Sequence, residues 1–197
     1  VLMAEPLALT LEAIRASGNA GRVVSFAPGG RPLADADVAR FAREDAPLVL
    51  VCGRYEGIDQ RFLDEFVDEQ FCIGDFVLSG GELPALCLID AVVRRLPGAI
   101  KELSAEDESF ATGLLDEPHY TRPELWRGHP VPEVLLSGNH AVVERWNRDR
   151  ALEATCAVRP DLIKIARSCG KLSREDERTL RAIARAAREK ADASKEA

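Results

Sequence analysis

Leu48-Val49-Leu50-Val51-Cys52, followed at once by Gly53-Arg54-Tyr55-Glu56-Gly57, is the stretch that decides the fold. Five apolar residues without polar alternation have the length of a strand and the pattern of one buried on both faces, as in a parallel sheet. On its N-terminal side, Pro6 to Ser17 carries apolar residues at helical spacing and stops before Gly18, a glycine cap. Arg22 to Phe26 is a β-branched run entering the turn Ala27-Pro28-Gly29-Gly30, and residues 34–45 place Val38 and Phe41 three apart for a second helix. On the C-terminal side, Ile58 to Phe66 reads as a short helix and Phe71-Cys72-Ile73 as a third strand, which Gly74-Asp75 interrupts before Phe76-Val77-Leu78. Ser79-Gly80-Gly81-Glu82 has capping-box spacing and opens a helix over 83–96 that ends at Pro97-Gly98. Strands alternating with helices predict an α/β layer fold.

The 197 residues are 46% hydrophobic and 30% charged, the composition of a soluble globular chain with room for one large domain or two small ones. The longest nearly uncharged run, Phe76 to Ile89, is shorter than the roughly 20 residues a membrane helix needs, so no membrane partner is expected. Five cysteines in odd number, without CxxC spacing and mostly among apolar neighbours, read as reduced thiols in a cytosolic core; no metal site is expected from them. The chain opens Val1-Leu2-Met3, which resembles neither a signal peptide nor a natural start and is expected to belong to a longer protein.

The net charge of −7 argues against a simple polycationic nucleic-acid binder, yet it conceals a split. Residues 1–118 hold 21 acidic and 10 basic side chains, a net of −11; residues 119–197 hold 12 and 16, a net of +4. Residues 101–118 are acidic with little apolar periodicity and read as a flexible linker between a domain over 1–100 and a helical one over 119–197. All three histidines and both tryptophans fall between 119 and 146, interleaved with Arg122, Arg127 and Arg145. Trp126 and Trp146 are expected to serve helix packing.

Glycine loops end three strands, at 28–30, 53–57 and 79–81, and none has dinucleotide or P-loop spacing. Each by itself reads as a tight turn; together they suggest one crevice beyond the strand ends. Four longer blocks are more specific: 52–59 (CGRYEGID), 73–82 (IGDFVLSGGE), 118–123 (PHYTRP) and 131–140 (VPEVLLSGNH). Together they resemble the bacterial tRNA (guanine-N1)-methyltransferases of the SPOUT, or trefoil-knot, class. The resemblance implies an α/β SPOUT trefoil-knot methyltransferase domain followed by a small all-α C-terminal domain. It also implies roughly 60 further residues ahead of Val1, a homodimer with a shared active site, the tRNA anticodon arm as partner and a cytoplasmic location.

By position, the resemblance assigns S-adenosyl-L-methionine binding to Phe26, Pro28, Gly30, Gly53, Tyr55, Glu56, Ile73, Gly74, Asp75, Phe76, Val77 and Leu78. Apolar walls and bare backbone suit an adenine edge. Ala27 stands where the family has serine, removing one hydroxyl contact. Guanine N1 loses a proton as the methyl arrives, so a base is needed, together with a cation near O6. The resemblance places Arg94 as that cation, with Arg95 left to the helix dipole. It puts Glu108 where the family has aspartate before Ser-Phe, with Asp107 adjacent, and either carboxylate suits the role. A divalent ion is left open. His119, Tyr120, Arg122, Asn139 and His140 are the RNA-binding candidates. The target implied is the guanine 3′ of the anticodon. The alternative from another class is a catalytically silent RNA-binding dimer that kept the fold.

Overall fold

The computed structural model describes residues 1–44, 46–99, 109–110 and 112–193, in two units, Val1–Glu102 and Leu103–Ala197. The first unit runs α1 (Ala4–Ala16), β1 (Arg22–Pro32), α2 (Asp35–Arg43), β2 (Leu48–Val51), α3 (Gln60–Phe66), β3 (Glu69–Cys72) and α4 (Glu82–Val93). Its three strands are parallel in the order β2-β1-β3. Consecutive side chains on a strand face opposite ways, and here both faces are apolar. Val24, Phe26, Leu48, Leu50 and Phe71 pack with α2 and α4 through Val38, Phe41, Ala85 and Leu88. Val23, Val49 and Val51 pack with α1 and α3 through Leu11, Phe62 and Phe66. Val23 and Val24 are both fully buried, so β1 is the centre of an α/β/α sandwich. The chain goes out from β1 to β2 and back past β1 to β3; with the usual right-handed crossovers, that reversal puts α2 and α3 on opposite faces.

β1 is longer than its β-branched run predicts because it resumes after a detour. Phe26 and Arg31 both pair with Phe71, and Ala27 to Gly30 loop out between them. The third strand lies earlier than expected, at Glu69–Cys72, and Phe76 to Leu78 form no strand. Polar residues hold strand positions here because each has a partner. Gln70 donates to the buried Ser25 hydroxyl (3.1 Å). Glu69 receives Arg40 (2.8 and 2.9 Å), Arg31 (2.8 Å) and Arg22 (3.3 Å). Arg31 also forks onto Asp37 (2.6 and 2.8 Å), whose carboxylate accepts the Ala34 N–H at the start of α2.

That fork holds Asp37 below the usual carboxylate range, with burial opposing it. A carboxyl depressed in the folded state stabilises above its unfolded pKa of about 3.9 and loses that contribution as pH falls through the folded value. Thermal melts between about pH 5 and 2 should therefore show Asp37→Asn less stable than the parent at the upper end and the gap closing on acidification. Parallel curves would refute the role given to Asp37.

The second unit contains β4 (Leu125–Trp126), β5 (His129–Pro130), α5 (Glu133–Leu136), α6 (His140–Val158), α7 (Pro160–Ser168) and α8 (Arg174–Ala193). Its core is Leu114, Ala151, Leu152, Ile163, Ala166 and Leu180. Asp176 caps α8 reciprocally with Ser173 and takes Arg145 and Arg148 at 3.0–3.1 Å. Burial pushes its carboxyl up, but the bonds from Arg148, the Ser173 N–H and Arg145 outweigh that and hold it low.

Two expectations are corrected. The unit is not all-α, because β4 and β5 form an antiparallel ribbon. Its two turn residues, Arg127 (φ 50°) and Gly128 (φ 83°), have the positive φ values of a type I′ hairpin. The expected linker also does not extend through 118. Leu114 is fully buried in the helical core, and the Leu115 N–H donates to Thr155 Oγ1 (3.0 Å), so the described residues from 112 onward belong to the second unit.

Candidate cofactor cleft and nucleic-acid surface

The carboxyl ends of β1, β2 and β3 open into a cleft of about 420 Å³ walled by the loops that follow them. Phe26 comes from β1 just before its detour and Pro28 from the detour itself, Gly53, Tyr55 and Glu56 from the second loop, and Ile73, Gly74, Phe76, Val77 and Leu78 from the third. Gly30 and Asp75 are not among the lining residues. Gly30 acts instead on the sheet. A Cβ there would fall 2.5 Å from the carbonyl carbon of Phe71, so glycine lets the detour lie against β3. Gly81 is equally constrained, its missing Cβ lying 2.8 Å from Cys52 Cα, and its N–H donates to the Gly53 carbonyl at 2.8 Å. Tyr55 sits at φ 60° and is 84% exposed. Burial and the Glu82 charge push the Cys52 thiol up, which keeps it protonated and unreactive.

The capping box expected at Ser79 and Glu82 does not form. Gly81 is the N-cap of α4 without a side-chain bond, and Glu82 instead pairs with Arg54 (2.6 Å). That pair and the bridge between Arg54 and Gly80 join the second loop to the third. Arg94 caps the C-terminal end of α4 and is exposed, while Arg95 reaches Asp35 in the first turn of α2. Arg94 is not a lining residue of the cleft. Asp107 and Glu108 lie outside the described residues.

In the second unit, His119 bonds to Asp116 through Nε2 (3.0 Å), and the Tyr120 ring lies 6.2 Å from that of Trp146. Burial, reinforced by Asp116, pushes Glu117 up. Asn139 is the N-cap of α6, accepting from the Val142 N–H (3.4 Å), and His140 is the first residue of that helix. Arg122 precedes Pro123 in the exposed segment that leads to the hairpin. Trp146 packs half-buried against the Tyr120 ring and against Arg150 of its own helix. Trp126 does not: it lies in β4, 57% exposed.

The family model for tRNA (Guanine-1)-methyltransferase TrmD matches residues 1–165. The chain belongs to this family. A tRNA (guanine-N(1)-)-methyltransferase of Janthinobacterium sp. (strain Marseille) is 51% identical over 186 residues, covering 91% of this chain and 74% of that protein. Proteins of the same name from Burkholderia mallei (strain SAVP1) and Burkholderia pseudomallei (strain 668) are 53% identical over 195 residues, covering 96% of this chain and 74% of theirs. Among the described residues, no helix is long and apolar enough to cross a membrane, and no three His, Cys, Asp or Glu side chains converge as a metal site would require.

For a tRNA (guanine-1)-methyltransferase, the cleft also holds residues that sequence reasoning passed over. Gln60, Gln70 and Ser79 add polar side chains to its wall. The Arg54–Glu82 pair was hidden because Glu82 already had a local explanation as half of a capping box. Its signal was the placement of an arginine inside the first glycine loop and a glutamate just after the second.

Proposed function

We propose that the chain transfers a methyl group from S-adenosyl-L-methionine to N1 of a guanine in tRNA, the guanine 3′ of the anticodon. In this reading it acts as a cytoplasmic homodimer of trefoil-knotted subunits. The observation that carries this reading is the cleft at the carboxyl ends of three parallel strands in a chain of this family. Its walls suit the cofactor: Phe26, Ile73, Val77 and Leu78 offer apolar surface for an adenine, and Gly53 and Gly74 leave backbone polar groups uncovered for its edge. The third loop running back against the second, with Gly81 bonded to Gly53, supports the knotted path. Five free cysteines suit a reducing compartment.

When bound, S-adenosyl-L-methionine supplies an electrophilic methyl group on a sulfonium. The protein's share is to hold guanine N1 in line, remove its proton and balance charge at O6. Glu108 or Asp107 takes that proton, and the Arg94 guanidinium faces O6. The grip on the anticodon arm falls to His119, Tyr120, Arg122, Asn139 and His140.

Transfer of label from methyl-labelled S-adenosyl-L-methionine to a tRNA with guanine 3′ of the anticodon, and none to the same tRNA with adenine there, is the expected result. Absence of transfer with tRNA still bound would overturn the reading in favour of a silent binding dimer. The dimer is supported by α4, where Leu83, Leu86, Ile89 and Val93 recur every three or four residues and are 45–58% exposed, while Ala85 and Leu88 face the core. Leu86→Glu is expected to give monomers in sedimentation velocity and to lose most transfer activity. A dimeric Leu86→Glu protein would remove α4 from the interface.

A further inference from the structure

We infer that the β4–β5 hairpin is a stacking platform for an unpaired base of the RNA, with Trp126 as the surface and Arg127 as the adjoining cation. The inference rests on the reading of the chain as a tRNA-modifying enzyme and adds an RNA-contacting element outside the residues already assigned.

Residues 118–130 are exposed throughout, without a buried anchor, and include Tyr120 and Trp126. Between 119 and 130 they carry Arg122, Arg127, His119 and His129 against a single acid, Glu124. An exposed run of that sign and aromatic content is complementary to phosphate and to the face of a base, and every base has such a face. The tip is more specific. A type I′ hairpin takes Asn-Gly or Asp-Gly by preference, because both turn residues need positive φ. Here the first of them is Arg127, held at φ 50°, and its guanidinium lies 5.1 Å from the centroid of the Trp126 ring. Nothing about the turn calls for arginine; a residue kept in a disfavoured conformation on an exposed tip is accounted for by what its side chain meets. With Trp126 57% exposed, the indole retains open surface for a base, and the guanidinium beside it is placed for the phosphate next to that base. The occupant of this surface is RNA. The apolar stripe of α4, by contrast, has no cation and suits a second copy of the chain.

The test uses binding of the tRNA substrate to the complete protein, followed by fluorescence anisotropy over a range of salt, with sedimentation and melting of each variant. Trp126→Ala is expected to raise Kd by about 5- to 100-fold, the range for loss of one stacked base, and Trp126→Phe to recover most of it. Arg127→Gly suits the turn better than arginine, so its melting temperature should be unchanged or higher; Kd should still rise, and the slope of log K against log salt should fall by about one. Parent affinity and slope in both Trp126→Ala and Arg127→Gly would overturn the platform. A shift of either variant toward monomer would overturn it in favour of a protein contact. Failure of the parent protein to bind tRNA would instead remove the reading on which the platform rests.

Discussion

Glu108→Gln is expected to lower kcat for methyl transfer by about two to four orders of magnitude, the usual effect of deleting a positioned general base. The amide keeps the size and shape of the side chain but cannot accept the N1 proton at neutral pH. The proton moves only as the methyl group arrives, so the lost interaction belongs to the transition state, and the KM values for cofactor and tRNA should stay within a few-fold of the parent. Asp107→Asn is the paired measurement. A large loss in one variant and a small one in the other identifies the base; full kcat in both would refute a carboxylate base in this segment. Arg94→Lys should retain more activity than Arg94→Ala, since a point charge near O6 survives without the planar fork.

Gly30→Ala is expected to disable the cofactor cleft although Gly30 is not among its lining residues. The added methyl would lie 2.5–2.8 Å from three backbone atoms of Gln70 and Phe71, and backbone held in the ladder between β3 and β1 cannot step aside as a side chain can. Overpacking of this kind costs about 1–3 kcal/mol or more, which for a unit of this size is on the order of 10 °C in melting temperature. The detour that follows Phe26 and carries Pro28 would be pushed off β3, and affinity for S-adenosyl-L-methionine should fall more than tenfold. Gly29→Ala is the control for stability, because its methyl would meet nothing within 4 Å. Calorimetry of the two variants separates them; equal melting temperatures would show that the contact with Phe71 is not tight.

The sandwich was legible because it depends on apolar period. The run at 48–51 has no polar residue to assign it to an outer face, and the structure covers both of its faces with helices. The glycine loops were legible in part: 53–57 follows β2 as expected, 28–30 proved to be a detour inside β1, and 79–81 lies beyond the end of β3 at Cys72, yet all three contribute to one cleft. What escaped depends on partners distant in sequence. Glu69 and Gln70 look wrong for a strand until Arg31, Arg40 and Ser25 are placed beside them. Leu114 sits in an acidic stretch with no periodicity, and only the pocket between α6, α7 and α8 makes it a core residue. The hairpin escaped because Arg127 occupies a position where a turn is normally announced by asparagine or aspartate. Trp126 then read as packing, since a tryptophan without its turn has no exposed face to be assigned to.

The detour in β1 leaves and rejoins the sheet at one and the same partner, with Phe26 and Arg31 both opposite Phe71. The residues between those two points therefore contribute nothing to the alignment of the strands, and one could be added or removed there without sliding β1 along β3. Variation in loop length among descendants of such a sequence could remodel one wall of the cleft while every buried neighbour of Val24 kept its place. The tolerance is local: it ends at Gly30, whose contact with Phe71 fixes where any longer or shorter loop must land.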